Sequence, residues 1–196
     1  MKLPNDYDET VGVNGGDFET IEAGGYICKI VSAKIEKSQT QKDMLVIAYD
    51  IAEGEHKDFY QRRYDSYKEN STPDNPAKWP TNGVHRTMIL DSNGKCNKFF
   101  KGLITAIEES NEGFKFNDGK GNADESKLKG KLFGALIGRE QYVGNDGNLK
   151  FSSKIRFIRS VQTIENGKFD IPEDKLVDSG IPGATFTNSD DDDLPF

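Results

Sequence analysis

Cysteine, histidine and long apolar runs are all scarce in this sequence of 196 residues. It contains two cysteines and two histidines, and no stretch approaches the ~20 consecutive apolar residues that span a bilayer. Two cysteines are too few for a disulfide framework, and the first residues lack the apolar core of a secretory signal. We therefore expect reduced thiols, no membrane association and a cytoplasmic location.

Signatures of metal sites and enzymes are missing as well. On paper Cys28, Cys96, His56 and His85 supply four zinc ligands, but their spacing matches no zinc finger or knuckle. No phosphate-binding loop, zinc-protease helix or nucleophile elbow occurs. The carboxylates within residues 50–58 would suit a metal-dependent nuclease, although exposed acids beside a turn explain them more simply. We expect no enzyme activity, no catalytic residue, no metal and no cofactor.

Charge is distributed unevenly along the chain. The formal net charge is −7, yet residues 162–196 alone hold nine acidic and two basic residues. Residues 24–161 hold 23 basic and 18 acidic residues. A mildly basic body with an acidic appendage is typical of a protein that binds a polyanion.

The first half of the chain has the patterns of strands. Residues 24–37 are rich in β-branched side chains, and residues 44–51 alternate in polarity, so both segments are predicted strands. Residues 59–67 are predicted as a third strand. Three prolines in residues 68–83 indicate a loop, and residues 84–90 fit either a strand or a helix.

The second half changes period and then returns to strands. Apolar residues spaced four and five apart predict a helix over residues 95–111. Residues 128–143 and 148–162 form a predicted hairpin around the turn at residues 144–147. Three strands, a helix and two strands follow the order of the five-stranded oligonucleotide-binding (OB) barrel, a mainly β fold with one helix. An open α+β sheet would give the same order.

Four regions follow from these patterns. Residues 24–161 form the predicted barrel domain, and residues 1–23 form an extended lead-in. Residues 162–189 have the composition of a linker, and residues 190–196 form an acidic tip.

Aromatic and basic residues are interleaved in the predicted third strand and the following loop. Single-stranded nucleic acid needs flat rings for its bases and cations for its phosphates. In an extended strand Tyr60, Arg62 and Tyr64 share one face. The alternative is that the tyrosines are core residues beside ordinary edge arginines. The candidate stacking residues are Tyr60, Tyr64, Tyr67 and Trp79, and the candidate phosphate-binding residues here are Arg62 and Arg63.

The last predicted strand carries a row of cations. Alternation places Leu149, Phe151, Ile155 and Phe157 on one face and Lys150, Ser152, Lys154 and Arg156 on the other. Such a row suits a phosphate track, which Arg139 on the neighbouring strand would extend. The alternative is an ordinary solvated face. Lys34 and Arg86 are weaker candidates for the same role.

The sequence closes with SDDDDLPF, which resembles the tail tip of bacterial single-stranded DNA-binding proteins (SSBs), where acidic residues run into Ile-Pro-Phe. The matching residues are Asp190, Asp191, Asp192, Asp193, Pro195 and Phe196, with Leu194 in place of isoleucine. The aromatic residue usual within the acidic run is absent. The body is similar to phage-encoded replication and recombination accessory proteins, whose start resembles GGDFETIEAGGYICKI.

This resemblance implies a phage-type protein that binds single-stranded DNA in the bacterial host cytoplasm and recruits replication or recombination enzymes through residues 190–196. Phe196 would enter an apolar pocket of a partner, its carboxylate would meet an arginine or lysine, and the aspartates would add long-range attraction. Two alternatives remain open. One is a decoy that occupies the SSB-binding pockets of host proteins, and the other is a strand-annealing accessory protein. Homo-oligomer formation also stays open.

Overall fold

The protein, described from a computed structural model over residues 20–69, 71–144 and 147–177, is built on one five-stranded antiparallel sheet. Its strands are β1 (Gly24–Lys37), β2 (Asp43–Ile51), β3 (Val84–Met88), β4 (Leu132–Val143) and β5 (Leu149–Arg159). The spatial order is β3-β2-β1-β4-β5, and the sheet curls into a nearly closed barrel. At the seam, the side chain of Ser152 on β5 lies 3.5 Å from that of Asn82, just before β3.

Three helices accompany the sheet: α1 (Phe59–Glu69), α2 (Lys98–Ser110) and α3 (Val161–Glu165). A helix between the third and fourth strands is the arrangement expected of the OB barrel. The mostly β, OB-like α+β class predicted from the element order is thus confirmed.

The core lies inside the barrel. The alternation of β2 is confirmed, because Leu45, Ile47, Tyr49 and Ile51 all point inward and are buried. They pack against alternate residues of β1 and β4, and the apolar face of α2 packs against the same cluster. The other main members are Cys28, Ile30, Phe133, Ala135, Ile137, Leu103 and Ile107.

The segment predicted as the third strand is a helix instead. Residues 59–69 form α1, and the third strand is β3, which lies in the segment that fitted either a strand or a helix. The cause is Asp50, a buried residue of β2. Its Oδ1 accepts a hydrogen bond from the backbone N–H of Tyr60 and its Oδ2 accepts one from that of Gln61, each at 2.9 Å. Because the first N–H groups of a helix have no partner inside the helix, a carboxylate at this point favours helix formation.

Residues 161–177 wrap over the outer face of β1 and β4, and we call this segment the strap. It includes the described part of the predicted linker. Three glycines of the sheet make room for it, because a Cβ atom at each would lie 3.0 Å or less from an apolar strap side chain. The pairs are Gly25 with Phe169, Gly134 with Ile164 and Gly138 with Pro172.

Both ends of the described chain are tied to the barrel. Ile21 is buried in the core, and its carbonyl accepts a hydrogen bond from Ser153 Oγ at 2.6 Å. Lys175 pairs with β4, donating its N–H to Arg139 O at 2.9 Å and accepting that of Gln141 at 2.8 Å. The packed body therefore extends on both sides of the predicted barrel boundaries at residues 24 and 161.

His85 is expected to make the fold sensitive to acid. It pairs with the inward-facing Ile47, and burial lowers the pKa of His85 from 6.5 to about 4. Because the folded-state pKa is below the unfolded one, the stability from neutral His85 is complete above about pH 6.5. It is lost as the pH falls toward 4. A pKa difference of this size between the folded and unfolded states corresponds to about 3 kcal/mol of unfolding free energy.

His85→Gln is therefore expected to flatten the loss of unfolding free energy between pH 7 and pH 4.5, as measured by urea titration. The wild type, titrated over the same pH range, is the reference. An undiminished loss in His85→Gln would show that other groups cause the acid sensitivity.

Candidate nucleic-acid interface

Tyr60 must be removed from the candidate stacking residues. Its ring is 1% exposed and packs edge-on against Tyr49, with the two centroids 5.4 Å apart. Residues 60, 64 and 67 are spaced by four and three, so they lie on one side of α1. The buried residues of α1 are at its start, which is therefore the end that packs against the core. A ring buried in this way presents no face to a base.

The other three aromatic candidates share one partly exposed surface. The rings of Tyr64 and Trp79 are in contact, with centroids 5.5 Å apart and planes at 42°. The Trp79 indole N–H donates to Gly83 O at 3.0 Å, which fixes the ring against the chain before β3. Tyr67 lies one turn beyond Tyr64 on α1 and is 36% exposed. The Lys68 ammonium lies 5.8 Å from the centre of the Tyr64 ring.

Arg62 and Arg63 lie on α1 and contact their own surroundings. Arg62 Nη1 donates to the carbonyl of Lys57. The Arg63 guanidinium lies over the Phe59 ring at 5.6 Å, and its Nη2 donates to the Tyr67 hydroxyl at 3.4 Å. The prediction that Tyr60, Arg62 and Tyr64 share one face of a strand is wrong, because the segment is a helix.

The cations of β5 occupy the outer face of the barrel. Lys150 pairs with Tyr142 and Lys154 with Gly138. Lys154 Nζ and Arg156 Nη2 lie 3.3 Å and 3.6 Å from the same Glu140 carboxylate oxygen. A single acid thus partly neutralises two cations. We call the outward residues Lys150, Ser152, Lys154 and Arg156 the β5 stripe.

Phe157 belongs to the outer face, which corrects the prediction from strict alternation. Leu136 pairs with Phe157, whereas the next residue of β4 pairs with Ile155. The extra residue, Arg156, forms a bulge that reverses the alternation of β5. The Phe157 ring is 52% exposed, and the Arg159 guanidinium lies 5.4 Å from its centre.

Arg139, predicted to extend a phosphate track, is paired with the strap instead. It forms two hydrogen bonds with Asp174 of the strap, from Nε to Oδ1 at 2.9 Å and from Nη2 to Oδ2 at 2.5 Å. Its guanidinium also lies over the Phe151 ring at 5.0 Å. The hydrogen bonds from Arg139 lower the pKa of Asp174 below its ordinary value. Arg139 therefore fastens the strap, a role that no local spacing in the sequence indicates.

The Thr81–Gly83 turn connects the aromatic surface with the β5 stripe. Gly83 accepts the indole hydrogen bond of Trp79, and Asn82 reaches Ser152 in the middle of the stripe. Asn82 O also accepts a hydrogen bond from the Tyr49 hydroxyl at 2.8 Å, which anchors the turn to the core. Two sets of candidates separated by about 70 residues are thus joined across the seam.

A second pair of cations lies on the outer face of the other edge. Lys34 on β1 and Arg86 on β3 both pair with Val46 of β2, one on each side. Lys34 Nζ also contacts Glu36 Oε1 at 2.5 Å. The faces of the second and third strands bind oligonucleotides in many OB barrels. The register of the sheet therefore brings the two weaker candidates close together, which their positions in the sequence do not show.

The residues that the structure describes include neither a cluster of metal ligands nor a membrane-spanning helix. Within them, no three histidine, cysteine, aspartate or glutamate side chains lie close enough together to hold a metal ion. None of the helices found there is both long and apolar enough to cross a bilayer. The candidate partner-binding residues 190–196 lie outside the described ranges.

A family model described as "Protein of unknown function (DUF669)" matches residues 7–85, less than half of the chain. The matched range includes β1, β2, α1 and the first residues of β3. No curated protein matches the chain.

Proposed function

We propose that this protein binds single-stranded DNA with little sequence preference, catalyses no reaction, and recruits replication or recombination proteins through residues 190–196. The observation that supports the proposal best is the link between the Tyr64–Trp79 pair and the β5 stripe through the Thr81–Gly83 turn. Rings for bases and cations for phosphates thus meet at the seam of an OB-like barrel.

Each part of the surface has a separate role in this proposal. Unpaired bases stack on Tyr64, Tyr67 and Trp79, and each stacked base contributes about 1–3 kcal/mol. Phosphates follow Lys150, Lys154 and Arg156 of the stripe. Because duplex bases stack on each other, their faces are not available to these rings, so single strands are preferred.

The tip has a different task from the barrel. The resemblance of residues 190–196 to the SSB tip supports capture of Phe196 and its carboxylate by a partner pocket. The barrel would then hold the DNA while the tip brings enzymes to it.

Fluorescence anisotropy with a labelled oligo-dT and a matched duplex tests the proposal. We expect the full chain to prefer oligo-dT, and to bind it more weakly as salt rises, since binding releases cations from the strand. A chain ending at Ser189 should bind oligo-dT at least as tightly. Absence of binding by both chains would contradict the proposal and leave the tip as the leading functional element.

Tryptophan fluorescence gives an independent readout of the stacking surface. The chain contains one tryptophan, so its emission reports on Trp79 alone. We expect oligo-dT to quench this emission in parallel with the anisotropy signal, because a base would stack on or beside the indole. Unchanged emission during complete binding would place the bases elsewhere.

A further inference from the structure

We propose that single-stranded DNA on the β5 stripe continues into a groove between β5, α2 and α3, which forms a second subsite for phosphates and bases. This inference rests on the proposed function and extends its surface beyond the residues identified from the sequence. The groove is open and has a volume of about 540 Å³. Its walls include Lys98, Lys101 and Glu109 of α2, Arg159 and Ser160 at the end of β5, and Thr163 of α3.

The charge of the groove suits a phosphate chain. Lys98 and Lys101 face it from one side and Arg159 faces it from the other, whereas Glu109 is the one acid among its lining residues. Its remaining lining includes the apolar or small residues Gly102, Ala106 and Ile158. A Cβ atom at Gly102 would meet nothing within 4 Å, so the backbone of α2 is open to a ligand there.

Exposed aromatic rings accompany the cations of the stripe and of the groove. The bulge at Arg156 places Phe157 on the face of Lys154, and the Arg159 guanidinium lies over the Phe157 ring. Phe99, beside Lys98 at the start of α2, is 70% exposed. Rings that alternate with cations on an exposed surface are what base stacking and phosphate contact require.

The path is continuous with the stripe. Lys154, Phe157 and Arg159 follow one another along the outer face of β5, and Arg159 itself lines the groove. An acidic peptide would also be attracted by the three cations of the groove. It would not account for the exposed Phe157, which lies on the same outer face of β5 as Lys154, and the observations therefore favour a nucleic acid.

The length of the oligonucleotide provides the test. Full-length protein and a Lys98→Glu/Lys101→Glu variant would be titrated with oligo-dT of about 8 and about 20 nucleotides, within and beyond the range that one OB fold covers. We expect the variant to bind the long strand about tenfold more weakly, and the short strand within twofold of the wild type. Lys120→Glu/Lys127→Glu makes the same change of charge in the loop between α2 and β4, and it should leave both affinities within twofold.

Phe157→Ala separates stacking from long-range electrostatics because it leaves the charge unchanged. We expect a loss of about fivefold on the long strand alone. Equal affinities of wild type and groove variants on the long strand, or equal losses on both lengths, would overturn the second subsite. If the groove variants lost only the binding of an added peptide with the sequence of residues 189–196, the groove would be a peptide site and the proposal would also fail. Failure of the wild type to bind either strand would instead refute the proposed function itself.

Discussion

Reversing two charges of the β5 stripe, Lys150→Glu with Lys154→Glu, is expected to weaken oligo-dT binding about 500-fold at low salt. Each reversal replaces an attraction to phosphate by a repulsion, and a unit pair at about 4 Å is worth about 1 kcal/mol even in bulk water. Two reversals therefore change the free energy of binding by about 3–4 kcal/mol. Fluorescence anisotropy across a salt series measures both the affinity and its dependence on salt.

The salt series also shows whether the lysines contact phosphates. Each lost contact on a single strand reduces the slope of log affinity against log salt by about 0.7, so the double variant should lose about 1.4. Two controls accompany it. Lys120→Glu/Lys127→Glu carries the same change of charge away from the stripe and should bind normally.

Glu140→Gln is the second control, and it should change the affinity in the opposite direction. Glu140 lies within salt-bridge distance of both Lys154 and Arg156, and removing its charge frees the more exposed of the two, Lys154, for contact with phosphates. We expect binding to tighten a few-fold. An affinity that responds to neither the lysine variant nor Glu140→Gln would show that the stripe is an ordinary solvated face.

Asp50→Ala is expected to cost about 4 kcal/mol of unfolding free energy. The carboxylate accepts hydrogen bonds from the backbone N–H groups of Ile51, Tyr60 and Gln61 at 2.8, 2.9 and 2.9 Å. Leaving a buried donor without a partner costs about 1–3 kcal/mol, and three donors depend on this one side chain. The loss is a large part of the 5–15 kcal/mol that stabilises an ordinary domain.

Urea denaturation at pH 7 measures this loss. Asp50→Asn should fall between the wild type and Asp50→Ala, because an amide keeps one acceptor oxygen but turns an NH₂ group toward a donor. Asp43→Ala removes a half-exposed carboxylate 2.8 Å from Lys37 Nζ. A surface pair of that kind contributes about 0–1 kcal/mol. If Asp50→Ala is no more destabilising than Asp43→Ala, then α1 does not depend on the Asp50 cap.

Burial is the main influence on Asp50 itself. It raises the pKa of the carboxyl above its ordinary value, although the three amide donors act in the opposite direction. Burying the Asp50 carboxylate is thus unfavourable, and removing it is also unfavourable because three backbone N–H groups lose their acceptor. Because α1 carries Tyr64 and Tyr67, Asp50→Ala should also weaken oligo-dT binding.

Local patterns in the sequence were sufficient to predict many of the strands and helices of this protein. The alternation in residues 44–51 placed four side chains of β2 in the core, and the segments on either side of residues 144–147 paired as strands β4 and β5. Residues spaced four apart gave α2. These predictions succeed because the repeat of a strand or a helix sets the spacing of apolar residues along the chain. That spacing can be seen directly in the sequence.

Other features depended on residues that the fold brings together from distant parts of the chain. The buried Asp50 carboxylate of β2 caps the start of α1, and Tyr60 then lies in the core. The sequence pattern of this segment fits a strand equally well. Asp174 takes Arg139 away from the phosphate track, and a bulge opposite Leu136 moves Phe157 to the outer face. Composition and spacing could name the aromatic and basic residues of the candidate interface. Only the closing of the sheet decided which of them meet, because pairing partners and bulges are set by contacts between strands and not by local sequence.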